Sequence, residues 1–264
     1  EQAETATEIE LNDKLATNSD QGYTVETKEV INKWNQNSNV NVLKITNAGS
    51  YKLTKNKDVK KLWCVEIAAE SGTVDLTLSG LNLDVSMTGH NITNGVPALS
   101  ISGGCETVIT LDSENTLKSG VNCAGLQNGE HKLTIKGDGT LNANGGIRGA
   151  GIGGGVNANG GNITIESGTV NATGGLSGAG IGGGYDNQWV DGTYTPTSEA
   201  GNGFNITISG GTVTATGSSY AAGIGGGGNG DGSNITISGG TVTAVGGSAE
   251  DIKCGGAGIG GGWG

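Results

Sequence analysis

The chain is poor in several residue types, and each shortage closes off a class of protein. Proline occurs twice in 264 residues, methionine and phenylalanine once each, and aromatics make up 4%. With so little proline and no strict Gly-X-Y period, a collagen-type triple helix is excluded despite 54 glycines. Basic residues are scarce: 14 Lys and Arg stand against 25 Asp and Glu, for a net charge of −11. That balance disfavours phosphate backbones and anionic lipid, so no nucleic-acid partner is expected. No apolar run approaches the roughly 20 residues that span a bilayer, so no membrane insertion is expected either. The two histidines, His90 and His131, are isolated, and neither forms a triad or metal site by spacing. Cys64, Cys105, Cys123 and Cys254 match no zinc pattern; three disulfide pairings are open, and so is a reading as free buried thiols.

Repetition is abundant. Ala-Gly-Ile-Gly-Gly-Gly recurs at 150–155, 179–184, 222–227 and 257–262. The last three copies each follow Asn-Ile-Thr-Ile (162–165, 205–208, 234–237) and then a Thr-Val-Asn/Thr-Ala segment (169–172, 212–215, 241–244). Such a period means stacked units. Fainter cycles precede these, with Val108–Leu111 matched to Lys132–Ile135. Each cycle holds three short strands of alternating apolar and polar residues in roughly 26–29 residues. The fold class expected is all-β, a right-handed parallel β-helix of about six to seven coils. An antiparallel reading would need a hairpin signal, and the Ser-Gly-Gly-Thr links alone do not decide it. Ile163/Ile165, Ile206/Ile208 and Ile235/Ile237 should point inward, with Thr164, Thr207 and Thr236 outward. The glycine hexapeptide is a narrow wall set by close packing rather than a phosphate loop, because no Lys or Ser/Thr and no helix follows it. Asn162, Asn205 and Asn234 fit the glycosylation sequon, yet their recurrence at one coil position predicts an asparagine ladder.

Residues 1–60 are dense in charge, with 17 of the 39 charged side chains, and are expected to form the N-terminal cap and first coil entry, with coils over 61–264. A short helix is expected around Val30–Trp34. The chain opens at Glu1 without Met or an apolar leader, as a mature or trimmed product would. It stops in mid-motif at Trp263–Gly264, so a further domain or subunit is expected over the C-terminal coil.

Chemistry is sought where the repeat breaks, because insertions map to loops on one face. The largest insertion, 185–204, gathers Tyr185, Trp189, Tyr194 and Phe204 with Asp186, Asp191 and Glu199. Flat aromatic faces stack on sugar C–H edges while carboxylates and amides hold hydroxyls, so this composition fits a glycan contact. Tyr185, Asp186, Trp189, Asp191, Tyr194 and Trp263 are the ligand-binding candidates. The plainer alternative is a long loop whose aromatics tuck onto the coil wall. Were the chain an enzyme, Asp186, Asp191 and Glu199 would be its acids. Smaller insertions lie at 228–233 and 248–254. Asp231 beside Asn229 echoes part of a calcium loop, without the bidentate Glu. Alignment of coils places Asp112, Lys136 and Glu166 in one row and Glu114 opposite Asp138, so Glu114 and Asp138 are further Ca²⁺ candidates. No other cofactor is expected. After Lys136 the only basic residues are Arg148 and Lys253, too few for a polyuronate-cleaving centre.

The runs Thr116–Gln127 and Leu133–Leu141, with the later glycine motifs, resemble the carbohydrate-binding β-helix surface proteins of anaerobic Gram-positive bacteria. Those proteins are related in fold to pectate lyases. The resemblance covers about 70–264. It implies a β-helix that binds plant or host polysaccharide, in some relatives with calcium, on a secreted or wall-attached protein. No ligand residue of that family maps onto a position here. Lyases, hydrolases, adhesins and binding modules share such scaffolds. The leading expectation is a non-catalytic glycan-binding module. Its alternatives are a polysaccharide lyase or glycoside hydrolase and a structural adhesin stalk.

Overall fold

The computed structural model describes residues 5–90, 93–185, 188–190, 193–195, 200–249 and 254–263; along 188–190 and 193–195, and at 249, it describes the backbone alone. Three stacked sheets make the body. The first runs Thr7–Leu11, Gly49–Lys55, Thr73–Ser79, Glu106–Asp112, Leu133–Gly137, Gly160–Ile165, Gly203–Ile208 and Gly232–Ile237. The second runs Asn82–Asp84, Glu114–Lys118, Thr140–Asn144, Thr169–Thr173, Thr212–Thr216 and Thr241–Val245. The third starts with Tyr23–Ile31, Asn37–Ile45 and Leu62–Ile67. It continues through Leu99–Ile101, Leu126–Gln127, Ile152–Gly153, Ile181–Gly182, Ile224–Gly225 and Ile259–Gly260. The chain visits the sheets in turn, and neighbouring strands within each are parallel save for the antiparallel Tyr23–Ile31 edge. Crossovers of this kind take the right-handed sense. This is the parallel solenoid expected, with eight strands in the first sheet where six to seven coils were counted.

The register follows the alternation. Ile163 lies level with Leu133, Ile206 and, one coil further, Ile235. Val170 lies level with Leu141 and Val213, and Ile181 with Ile152 and Ile224. These inward columns are fully buried down to Ile206, Val213 and Ile224. Each such side chain contributes about 1.5–3 kcal/mol by leaving water. The third wall is narrow because Gly153, Gly182 and Gly225 stack directly, at φ of 135°, 131° and 133°. A methyl at Gly182 would overlap the Gly225 carbonyl oxygen, so close backbone approach demands glycine here.

The asparagine ladder is present. Asn162, Asn205 and Asn234 all sit in the left-handed region, with φ of 56°, 52° and 50°. Asn tolerates that region better than other side chains. Asn234 Nδ2 donates to Asn205 Oδ1 at 3.2 Å, Asn205 Nδ2 to Asn162 Oδ1 at 3.0 Å, and Asn162 Nδ2 to the Glu130 carbonyl at 2.6 Å. A second column joins Asn171 to Asn142 at 2.9 Å and Asn142 to the Glu114 carboxylate at 3.1 Å.

The N-terminal segment contains solenoid strands as well as cover. Thr7–Leu11 already pairs in parallel with Gly49–Lys55, and Asn37–Ile45 with Leu62–Ile67. Tyr23–Ile31 closes the third sheet as an antiparallel edge. The helix expected around Val30–Trp34 is absent: Val30 and Ile31 end that strand, and a turn follows. The Asn32 side chain accepts the N–H groups of Trp34 and Gln36, both at 3.0 Å, and Asn35 takes φ of 59°. Local side-chain bonding of this kind outcompetes the helix.

Candidate functional site

The insertion after Tyr185 leaves from the link between the third and first sheets. It includes an antiparallel hairpin, Gln188–Val190 with Thr193–Thr195, in which Trp189 faces Tyr194 in register. Asp186, Asp191 and Glu199 lie outside the described residues, and the side chains of Trp189 and Tyr194 are not described. The insertion does not disturb the stack. Backbone at Gly184 and Gly201 comes into contact where the chain departs and returns, and Gly203 resumes the register opposite Gly160. Phe204 belongs to the strand Gly203–Ile208, and its ring covers Gly161.

Around this departure point the backbone folds back on itself at every coil. The N–H of Tyr185 donates to the Arg148 carbonyl at 2.9 Å, that of Gly228 to Ser177 at 2.9 Å, and that of Trp263 to Tyr220 at 2.8 Å. Two files of residues therefore run side by side along one corner, Arg148–Ser177–Tyr220 and Tyr185–Gly228–Trp263. Because position 228 is glycine, the Tyr185 ring lies against it and against the Ser177 side chain. Tyr220 and Trp263 stack with ring centroids 5.5 Å apart and planes tilted by 33°, and Trp263 keeps 45% of its surface exposed. Beside Arg148 and Ser177 stand Ile147 and Leu176, 48% and 53% exposed. Tyr185 and Trp263, both candidates from the sequence, thus share one corner. Tyr220, Ile147 and Leu176 were missed. Their signal is that apolar or aromatic residues fill a link position that solvent reaches.

The polar groups at this corner are ordered. Arg148 Nη1 donates to Asn122 Oδ1 at 3.2 Å, and Asn122 Nδ2 donates to Asn94 Oδ1 at 2.8 Å. Burial lowers the Arg148 pKa from its usual value, and the neighbouring Tyr185 opposes that shift. The hairpin formed by Ser248–Ala249 and Cys254–Gly255 takes the corner position above Tyr220, since Gly256 stacks on Ala221 as Gly178 stacks on Gly149.

The acidic candidates are placed differently from their alignment. Lys136 lies level with Thr110 and beside Glu166, whereas Asp112 lies two residues further along. Asp112 instead accepts from Ser79 Oγ at 2.9 Å, with Lys52 Nζ at 3.9 Å. Glu114 pairs in register with Thr140, not with Asp138. The shift arises because Thr107, a buried polar residue, occupies the core position of Val74 and Leu133 and hides the alternation. Asp231 extends a third file: its N–H donates to Asn202 Oδ1 at 2.8 Å, as the N–H of Asn202 does to Asn159 Oδ1 at 2.9 Å. Glu114, Asp138 and Asp231 therefore stand apart, and among the described residues no three His, Cys, Asp or Glu side chains gather as cation ligands.

All four cysteines are free thiols, so none of the pairings left open by the sequence forms. Burial foremost pushes Cys64 and Cys123 up to about 12, against the lowering effect of Lys28.

The segments 133–156, 163–185, 206–228 and 235–263 match the family model described as a beta helix repeat. The chain has the parallel β-helix fold. Each matched segment of this β-helix ends on the corner file, at Val156, Tyr185, Gly228 and Trp263. No curated protein and no solved structure matches the chain.

Proposed function

We propose that this β-helix is a non-catalytic glycan-binding module of a secreted or wall-attached protein, holding polysaccharide at the corner from which the 185–204 insertion departs. The observation that carries the reading is the gathering of Tyr185, Tyr220 and Trp263 at that corner, beside the exposed Ile147 and Leu176. Aromatic faces with ordered amide and guanidinium groups at one side are the combination that sugars require. Trp189, Tyr194, Asp186 and Asp191 of the insertion complete the contact in this reading.

The test is a glycan array probed with the wild-type chain and with Trp189→Ala. Binding to plant or host polysaccharides that the variant weakens supports the module. Release of reducing sugar or unsaturated product from those glycans would replace it with a lyase or hydrolase. Neither binding nor cleavage would leave a structural stalk.

A further inference from the structure

The two files at the corner run along the solenoid axis, so the ligand's direction is written in the stack. Arg148, Ser177 and Tyr220 occupy successive levels, and Trp263 lies one level beyond. Levels in a parallel sheet are about 4.8 Å apart, so the strip from Ile147 to Trp263 extends roughly 14 Å. Its members are Ile147 and Leu176 beside the first file on neighbouring coils, Tyr185 against Gly228, and Tyr220 against Trp263. Beyond Arg148 the same line continues as hydrogen-bonded amides, Asn122 and then Asn94. The strip is two residue files wide, and Gly149, Gly178, Gly184, Gly227 and Gly262 adjoin it along the chain. A specific protein partner buries about 800 Å² on this side, more than a strip two residues wide and roughly 14 Å long presents. A thin, extended ligand fits it.

We infer that an unbranched, extended polysaccharide lies along the solenoid axis on this corner, crossing successive coils. Tyr185, Tyr220 and Trp263 are its stacking faces, and Arg148, held by the buried Asn122, meets its hydroxyls at one end with the exposed Asn94 beyond. The inference rests on the glycan-binding reading and adds the path of the chain and the role of Tyr220. An axial path makes affinity depend on length, because each added sugar reaches another coil until the strip is covered.

Calorimetric titration with cello-, xylo- and manno-oligosaccharides from di- to hexasaccharide tests this. Affinity should climb with length in at least one series and level off near the tetrasaccharide. Tyr220→Ala should weaken hexasaccharide binding by about tenfold and leave the disaccharide nearly unchanged. Tyr220→Phe, which keeps the ring, should restore it, and circular dichroism reports whether each variant retains the fold. A series that binds without length dependence, or one that Trp189→Ala abolishes and Tyr220→Ala leaves intact, overturns the axial path while the glycan reading stands. If no series binds and the glycan array is also blank, both fall together. Capture of a protein ligand that Tyr220→Ala disrupts would likewise overturn the inference.

Discussion

The two halves of the solenoid reach one cross-section by different means. Before about residue 130 the core is filled by bulk: Trp63, Leu43, Leu53, Leu76, Leu78, Leu81, Leu83 and Leu99 are fully buried, and strands reach seven to nine residues. Beyond it the strands shrink to two to six residues, and after Leu133 and Leu141 the interior is Ile, Val and Ala under a glycine wall. There the backbone itself approaches, and asparagine amides link the corners. The first half therefore depends on side-chain volume and tolerates irregular coils. The second depends on the absence of side chains and tolerates almost no change at its tight points, with insertions confined to corners.

Substitutions that exchange these means should break the halves unequally. Gly182→Ala places a methyl on the Gly225 carbonyl at a φ of 131°. It should cost about 4 kcal/mol or more, measured by urea unfolding, and a cost under about 1 kcal/mol would deny that backbone approach sets the wall. Leu76→Ala, in the bulky half, should cost about 2–5 kcal/mol by the same measurement. Asn205→Ala removes one rung of the amide column and the residue type suited to its left-handed backbone. A loss of about 1–2 kcal/mol is expected, and Asn205→Gly, which restores the backbone freedom, should recover part of it.

The smallest effect concerns the thiols of the first half. Cys64 and Cys123 sit at about 12 in the folded chain, above the ordinary thiol value near 9. Both groups bind their protons more tightly when folded. Their contribution to stability is thus fully present below pH 9 and fades as pH rises toward 12. Alkylation by iodoacetamide at pH 8 should leave both unmodified until denaturant is added, and mass spectrometry of the peptides reads the outcome. Modification of either in the native chain would show that the first half opens more readily than its packing implies.

Much of this was legible in the sequence, and the gaps have physical causes. Identical Asn-Ile-Thr-Ile and Ala-Gly-Ile-Gly-Gly-Gly copies can stack only in register, which fixed Ile163, Ile206 and Ile235 in one column and the asparagines in another. The acidic row failed where repetition weakens. Thr107 stands in a core position, so counting from apolar residues moved Glu106–Asp112 by two against Leu133–Gly137. The first coil was obscured because Thr7–Leu11 and Gly49–Lys55 carry charged outward residues and share no motif with later coils. Tyr220 went unnoticed because the fold-back that joins it to Trp263 links positions 43 residues apart, and no local pattern announces that contact.

The contact between Gly184 and Gly201 carries one more consequence. The chain goes out and comes back at a single seam, and coils on both sides keep their alignment as though nothing lay between. The seam is a natural cloning boundary. A foreign hairpin whose ends meet at the same spacing can be exchanged there as a cassette, with the coils on either side left in register.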